Sequence, residues 1–319
     1  MNITRETWAR LQRTETLLVF AAAQQFPEKR RALWDGIDLE ESDRMYLTRF
    51  VSGFDPGGLR AVDYQVRYPF STERTIEKAM ERLVDQGILD RGKDRFSFTP
   101  EGMNVARTWL ERAGDLLDGV AASAASEADT EALLELDKKI LEGLYKPPQA
   151  YPTPILSSRA HGLQPDYSER RLWHHWQLVW SMIASHEDAQ ESVRKERGIA
   201  PLEWFILRQL WFVSRQPWRA RLQGSSLHAI ADRYAPIEEA ACRETWAQLL
   251  DQGLVEGTYE SPKISEQGMN LHDADEEEVD RRFLSCWPRL SDKEIDMLTR
   301  IVEELNGYLE RKLRVEEST

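Results

Sequence analysis

The chain has 319 residues, enough for about two domains, with the apolar content of an ordinary globular protein. No apolar run is long enough to cross a bilayer, and the two cysteines, Cys242 and Cys286, are too sparse for a disulfide framework or a zinc cluster, so both read as packed side chains. A net charge of −13 weighs against nucleic acid, because phosphate neutralisation needs clustered Lys and Arg, but it leaves room for one basic face.

In chain order, apolar periodicity predicts helices over Arg5–Phe26, Leu39–Gly53, Ala61–Arg67 and Ser71–Asp85. A hairpin follows over Ile88–Phe98, turning at Gly92-Lys93-Asp94, then helices over Pro100–Leu117 and Glu127–Leu144. The short apolar run Leu17–Ala23 is flanked by Arg5, Arg10 and Arg13 mixed with Glu6 and Glu15, unlike the purely basic flank of a signal peptide, so a cytoplasmic location is expected. Lys146–Ser168 carries five prolines and little periodicity, and reads as a partly extended linker.

Beyond it, Glu169–Arg197 places Leu172, Trp173, Trp176, Val179, Trp180 and Ile183 at helical spacing before Gly198 ends the helix. Ala200–Trp211 opens with Pro201 in its first turn, Ser225–Arg233 is a short helix, and Ile237–Gln252 stops at Gly253. Leu254–Ile264 predicts a second hairpin with its turn at Ser261-Pro262. Ser291–Lys312 closes the chain, with Ser291 and Glu294 spaced as a capping box.

The two halves repeat one another about 166 residues apart. Arg67-Tyr68 matches Arg233-Tyr234, LVDQGIL (Leu83–Leu89) matches LLDQGLV (Leu249–Val255), and EGMN (Glu101–Asn104) matches QGMN (Gln267–Asn270), all in one register. A period this long means two copies of a domain, each of a size to bury a core of its own.

The order helix, helix, helix-turn-helix, hairpin, long helix, closing helix resembles the MarR family of bacterial winged-helix regulators. The residues that carry the resemblance are Ala200-Pro201-Leu202-Glu203-Trp204 with Leu207 and Leu210; Arg74-Thr75-Ile76, Met80, Leu83 and Gln86-Gly87-Ile88-Leu89; Thr99-Pro100-Glu101-Gly102; and Leu290-Ser291-Asp292-Lys293-Glu294 with Leu298, Ile301 and Leu305. The resemblance covers nearly all of both halves outside the linker. It implies a mainly α chain of two tandem winged helix-turn-helix domains with small β-wings, residues 1–145 and 169–319, joined by 146–168. In the family the terminal helices of two chains interlock, so here the halves are expected to pack as an intrachain pseudo-dimer, a monomer doing the work of two chains. The apolar stripe Leu298, Ile301, Leu305 would then match Leu133, Leu136, Ile140. Both wings are shorter than is usual in the family, and the second (Glu256–Lys263) has one basic residue and two acids.

The resemblance further implies a transcriptional regulator whose partner is double-stranded DNA, at a site that need not be palindromic because the two reading heads differ. Candidate DNA-binding residues are Ser71, Thr72, Arg74, Thr75 and Lys78 at the start of the first recognition helix, Arg91, Lys93 and Arg95 in its wing, and Arg243 in the second head. From Ser71 to Arg95 six basic residues balance six acidic ones, so Arg74 and Lys78 could instead pair with Glu77 and Glu81 one helical turn away. Glu238, Glu239 and Glu244 beside Arg243 make the first copy the expected main reader. Family members also bind small aromatic ligands between the dimerisation helices and the winged-helix body. His175, Trp176, Trp180, Trp204 and Arg208 are the candidate lining, against the plainer reading that an aromatic stripe at helical spacing is core. Trp218 extends the same aromatic-rich region.

His174 and His175 point about 100° apart on a helix and do not chelate together, and no metal, cofactor or enzyme motif of the HExxH, CxxC, Walker or GxGxxG kind is present. No cofactor, enzymatic activity or membrane partner is expected. The competing function is a winged-helix scaffold that has left DNA and binds a protein or a small aromatic molecule.

Overall fold

A computed structural model describes residues 5–25, 28, 32–40, 43–44, 46–47, 58–67, 69–121, 126–144, 170–215 and 237–315. The protein is mainly helical: ten α-helices and two small antiparallel hairpins stand among these residues. They are α1 (Arg5–Gln25), α2 (Ala61–Arg67), α3 (Glu73–Asp85), β1 (Leu89–Arg91), β2 (Phe96–Phe98), α4 (Pro100–Ala121), α5 (Glu127–Leu144), α6 (Arg171–Arg197), α7 (Pro201–Arg215), α8 (Glu239–Asp251), β3 (Val255–Gly257), β4 (Pro262–Ile264), α9 (Glu266–Ser285) and α10 (Asp292–Val315). The expected linker, the helix Ser225–Arg233, Trp218 and most of the helix Leu39–Gly53 lie outside the described residues. Periodicity passed over α9, an acid-rich helix.

The repeat is carried into the backbone. Arg5 and Arg171, Glu73 and Glu239, Leu89 and Val255, Phe96 and Pro262, and Pro100 and Glu266 each open an element, 166 residues apart. The helix-to-hairpin corner repeats bond for bond. Gly87 and Gly253 take left-handed φ values of 73° and 71°, and the next N–H (Ile88, Leu254) returns to the carbonyl of Leu83 or Leu249, closing the helix end. The Thr99 hydroxyl donates to the Gly87 carbonyl (2.7 Å) and accepts the Gly102 N–H (2.9 Å). Ser265 does the same with Gly253 (2.6 Å) and Gly268 (3.0 Å), capping α9 as Thr99 caps α4. In the first half the hairpin gains a third piece, an antiparallel bridge between Leu59 and Phe96.

The halves are interlocked through their end helices. α1 lies along α10, and α5 along α6, while α1 packs on α4 as α6 packs on α9. Leu133, Leu136, Ile140, Leu298, Ile301 and Leu305 are all buried, as the apolar stripes require. Both large hydrophobic clusters draw on residues of the two halves: one joins Leu17 and Trp109 to Trp173 and Leu305, the other Trp8 and Leu133 to Val279 and Leu298. A third, smaller cluster around Ile206, Leu210, Trp246 and Leu249 holds the second hairpin to α7 and α8. Polar contacts fix the register of the junction. The Thr14 hydroxyl meets Asn306 Oδ1 at 2.8 Å in the buried α1–α10 seam, and Asn306 donates back to the Arg10 carbonyl at 3.1 Å. The capping box forms as expected, with Ser291 and Glu294 bonded reciprocally, and Lys139 of α5 reaches Glu294 at 2.6 Å. Phe70, just ahead of α3, packs on Phe205 of α7 with ring centroids 4.2 Å apart, tying the first hairpin unit to the second half.

Candidate functional site

α3 starts at a true cap. Thr72 is extended at ψ 147°, and its hydroxyl accepts the Thr75 N–H at 3.2 Å, leaving the other first-turn N–H groups and the positive end of the helix dipole facing outward. Arg74 and Lys78 stand exposed one turn apart on this end, and neither is in an ion pair among the described residues. The pairing with Glu77 or Glu81 that helical spacing allows is therefore not made; Glu81 is held by Arg91 instead. Thr72 is exposed and Thr75 half-buried, whereas Ser71 is only 2 % exposed and its carbonyl accepts Gln65 Nε2, which removes it from the accessible set. At the back of the helix Arg82 and Gln86 both bond the fully buried Asp43, anchoring α3 to the body. In the first hairpin, Lys93 and Arg95 are exposed, Arg95 3.6 Å from Asp94, and Arg91 lies over the Phe96 ring.

The second half differs in both respects. Glu238 occupies the cap position of α8 without capping through its side chain. Arg243 is occupied three ways: Glu239 at 2.8 Å, Glu260 at 3.5 Å, and the Tyr259 ring 4.2 Å beneath its guanidinium. A cation paired this way gives up those partners before it can contact phosphate.

The candidate aromatic pocket is divided by the structure. His175, Trp176 and Trp180 lie on the first half of α6. Trp176 stacks between Trp173 (5.0 Å) and Trp180 (5.6 Å) in the first shared core. His175 is fully buried and bonds Asp137 of α5 at 2.5 Å. Trp204 and Arg208 lie on α7 and meet the other end of α6, near Val193, roughly 25 Å away at the rise of a helix. Trp204 packs edge-on to His272 (5.2 Å), and Arg208 lies over Phe212 (5.1 Å) with its Nε buried and without a hydrogen-bond partner among the described residues.

What surrounds Trp204 and Arg208 is a cluster of buried polar side chains that the sequence pattern did not single out. On α9, His272, Glu276 and Asp280 follow one another at a spacing of four, which sets all three on one helical face. Facing them on α6, His186 Nε2 lies 3.2 Å from Asp280 Oδ1 and Gln190 Nε2 donates to Glu276 Oε1 at 3.0 Å. His272 Nε2 is 3.4 Å from Glu276 Oε1, and Arg5 of α1 closes on Asp280 Oδ2 at 2.6 Å. All five polar residues on α6 and α9 are at least nine-tenths buried. Burial by itself would raise the Glu276 carboxyl, but the His272, His186 and Arg208 side chains outweigh it and hold the group down at about 2, so it is ionised inside the protein. The i, i+4, i+8 spacing was the available signal. It is masked because the buried stripe of this helix is polar where periodicity looks for apolar residues. No protein-family model, no curated protein and no solved structure matches this chain.

Proposed function

We propose that the protein is a DNA-binding transcriptional regulator of MarR type. It is built from two tandem winged-helix units interlocked as an intrachain pseudo-dimer, with α3 of the first unit as the main reader. The observation that carries the reading is the pair of exposed cations Arg74 and Lys78, in no ion pair among the described residues, on the capped end of α3, where a helix-turn-helix meets the major groove. The engaged Arg243 and the acidic start of α8 make the second unit the weaker reader. Few phosphate contacts predict a shallow dependence of affinity on salt, about one unit of log–log slope for each contacting cation.

Selection from a random duplex library at low and at physiological salt tests this. One enriched, non-palindromic motif, lost with Arg74→Ala and Lys78→Ala and little changed with Arg243→Ala, is the expected result. Equal losses from both heads would remove the asymmetry. No duplex binding even at low salt would overturn the reading in favour of a scaffold that binds a protein or a small aromatic molecule, the alternative that the occupied Arg243 favours.

A further inference from the structure

Three donors from two helices converge in the second half: His186 on α6 and Glu276 and Asp280 on α9, one ligating atom of each within 4.8 Å of the other two. Ligands around a tetrahedral ion with bonds near 2.1 Å stand about 3.4 Å apart. The His186 Nε2 to Asp280 Oδ1 separation of 3.2 Å already matches, and a Glu276 carboxylate oxygen lies within 4.8 Å of both. A fourth donor is at hand: His272 Nε2 is buried, makes no hydrogen bond among the described residues and sits 3.4 Å from Glu276 Oε1. The surroundings have the form of an outer shell. Arg5 holds the second oxygen of Asp280, Gln190 holds Glu276, and Trp8 and Phe283 wall His186 at ring separations of 5.5 and 5.1 Å.

The repeat supplies an internal control. The matching positions of α4, the counterpart of α9, are Ala106, Leu110 and Gly114, all buried. The scaffold therefore closes at this place with small and apolar residues, and burying two carboxylates and two imidazoles there carries a desolvation cost that packing does not require. Charged groups kept where the fold does not need them point to a ligand of opposite sign.

We infer that His186, Glu276 and Asp280, with His272 beside them, form a site for one divalent first-row transition metal ion of the zinc or manganese type. Imidazole together with carboxylate suits these ions, and the absence of thiolate from the set argues against copper(I). The site draws Arg5 and Trp8 from α1 onto α9, so an occupied site ties the start of the chain to the second half. It is independent of whether α3 reads DNA.

The test uses the full chain, stripped with chelator and titrated with zinc in a calorimeter. One tight ion per chain is expected, with affinity reduced at least tenfold by His186→Gln, Glu276→Gln or Asp280→Asn in protein whose circular dichroism is unchanged. X-ray absorption on the zinc-loaded natural sequence reads the ligands without any variant, and a shell of oxygen with one or two imidazoles is expected. No stoichiometric binding, affinity unaltered in folded Glu276→Gln protein, or a shell containing sulfur or more than two imidazoles would each overturn the assignment.

Discussion

Gly102 and Gly268 stand in the same place in the two halves: a Cβ on Gly102 would fall inside van der Waals contact of the Ile88 carbonyl oxygen, and one on Gly268 would do the same to the Leu254 carbonyl. Each glycine lets the helix after a hairpin start directly against the backbone that closes the helix before it. Gly102→Ala and Gly268→Ala are each expected to destabilise the protein by about 1–3 kcal/mol, the range of steric overpacking. Urea unfolding would measure both, and a tolerated alanine at either site would mean that the corner is looser than its twin.

His175 and Asp137 form the polar centre of the α5–α6 junction, both fully buried and 2.5 Å apart. Burial pushes the Asp137 carboxyl up, and the His175 contact works against that. Removing one partner strands the other, so His175→Leu is expected to cost about 3–5 kcal/mol, whereas replacing both by leucine should cost much less. Thermal unfolding of His175→Leu, Asp137→Leu and the double leucine variant completes the cycle. Equal losses from single and double variants would show that altered packing, not the stranded group, sets the cost. The same measurement bears on effector binding, because a His175 needed for packing cannot be freed to hold a ligand without loss of stability.

Most of the local structure was legible because it rests on short-range rules. The repeat register located both helix-to-hairpin corners, the glycine stops at Gly198 and Gly253 fell where left-handed residues end helices, and the Ser291–Glu294 spacing gave a capping box that forms. Spacing also put Arg74 and Lys78 on an exposed face, but it could not tell whether Glu77 and Glu81 would engage them; Glu81 is taken by Arg91, which arrives from the first hairpin. Burial of Ser71 was equally hidden, since it depends on Gln65 folding back from α2. The sharing of cores between halves is a long-range outcome that no local pattern encodes. The polar cluster on α9 escaped for the opposite reason: its period was regular, but its residues were of the wrong polarity for a search for buried faces.

Ser291 stands just ahead of α10 beside the junction, and Glu294 is bonded to Ser291 and to Lys139 of α5 at once. The Lys139 contact and the Ser291 bonds hold the Glu294 carboxyl down at about 2. Its contribution is therefore present above the ordinary glutamate range and lost as pH falls toward 2. Ser291→Ala is expected to cost about 1 kcal/mol, as loss of an N-cap does. The part due to Glu294 should fade in acid, so the difference between variant and natural sequence in urea midpoint should narrow from pH 6 to pH 3. A difference independent of pH would assign the effect to helix propensity alone.

Asp118 of α4 supplies the cap that α6 lacks in its own sequence. Its Oδ1 accepts the Leu172 and Trp173 N–H groups at 3.1 and 3.2 Å, across the two halves, while Oδ2 is buried without a hydrogen bond among the described residues. Burial raises this carboxyl to about 6, against the lowering effect of the two N–H groups and Arg170. With an ordinary aspartate value of about 4 in the unfolded chain, the folded protein holds a proton between pH 4 and 6 that the unfolded chain has released. The group's contribution to stability is then greatest below pH 4 and is lost as pH rises through 6. Asp118→Asn keeps an oxygen for both N–H groups and removes the titration. Its melting temperature, compared with that of the natural sequence from pH 4 to 7.5, should gain steadily and end higher at neutral pH. If the ionised carboxylate instead favours the α6 N-terminus through the helix dipole, the variant will lose ground over the same range. The sign of that one difference decides whether burial or the dipole governs the cap.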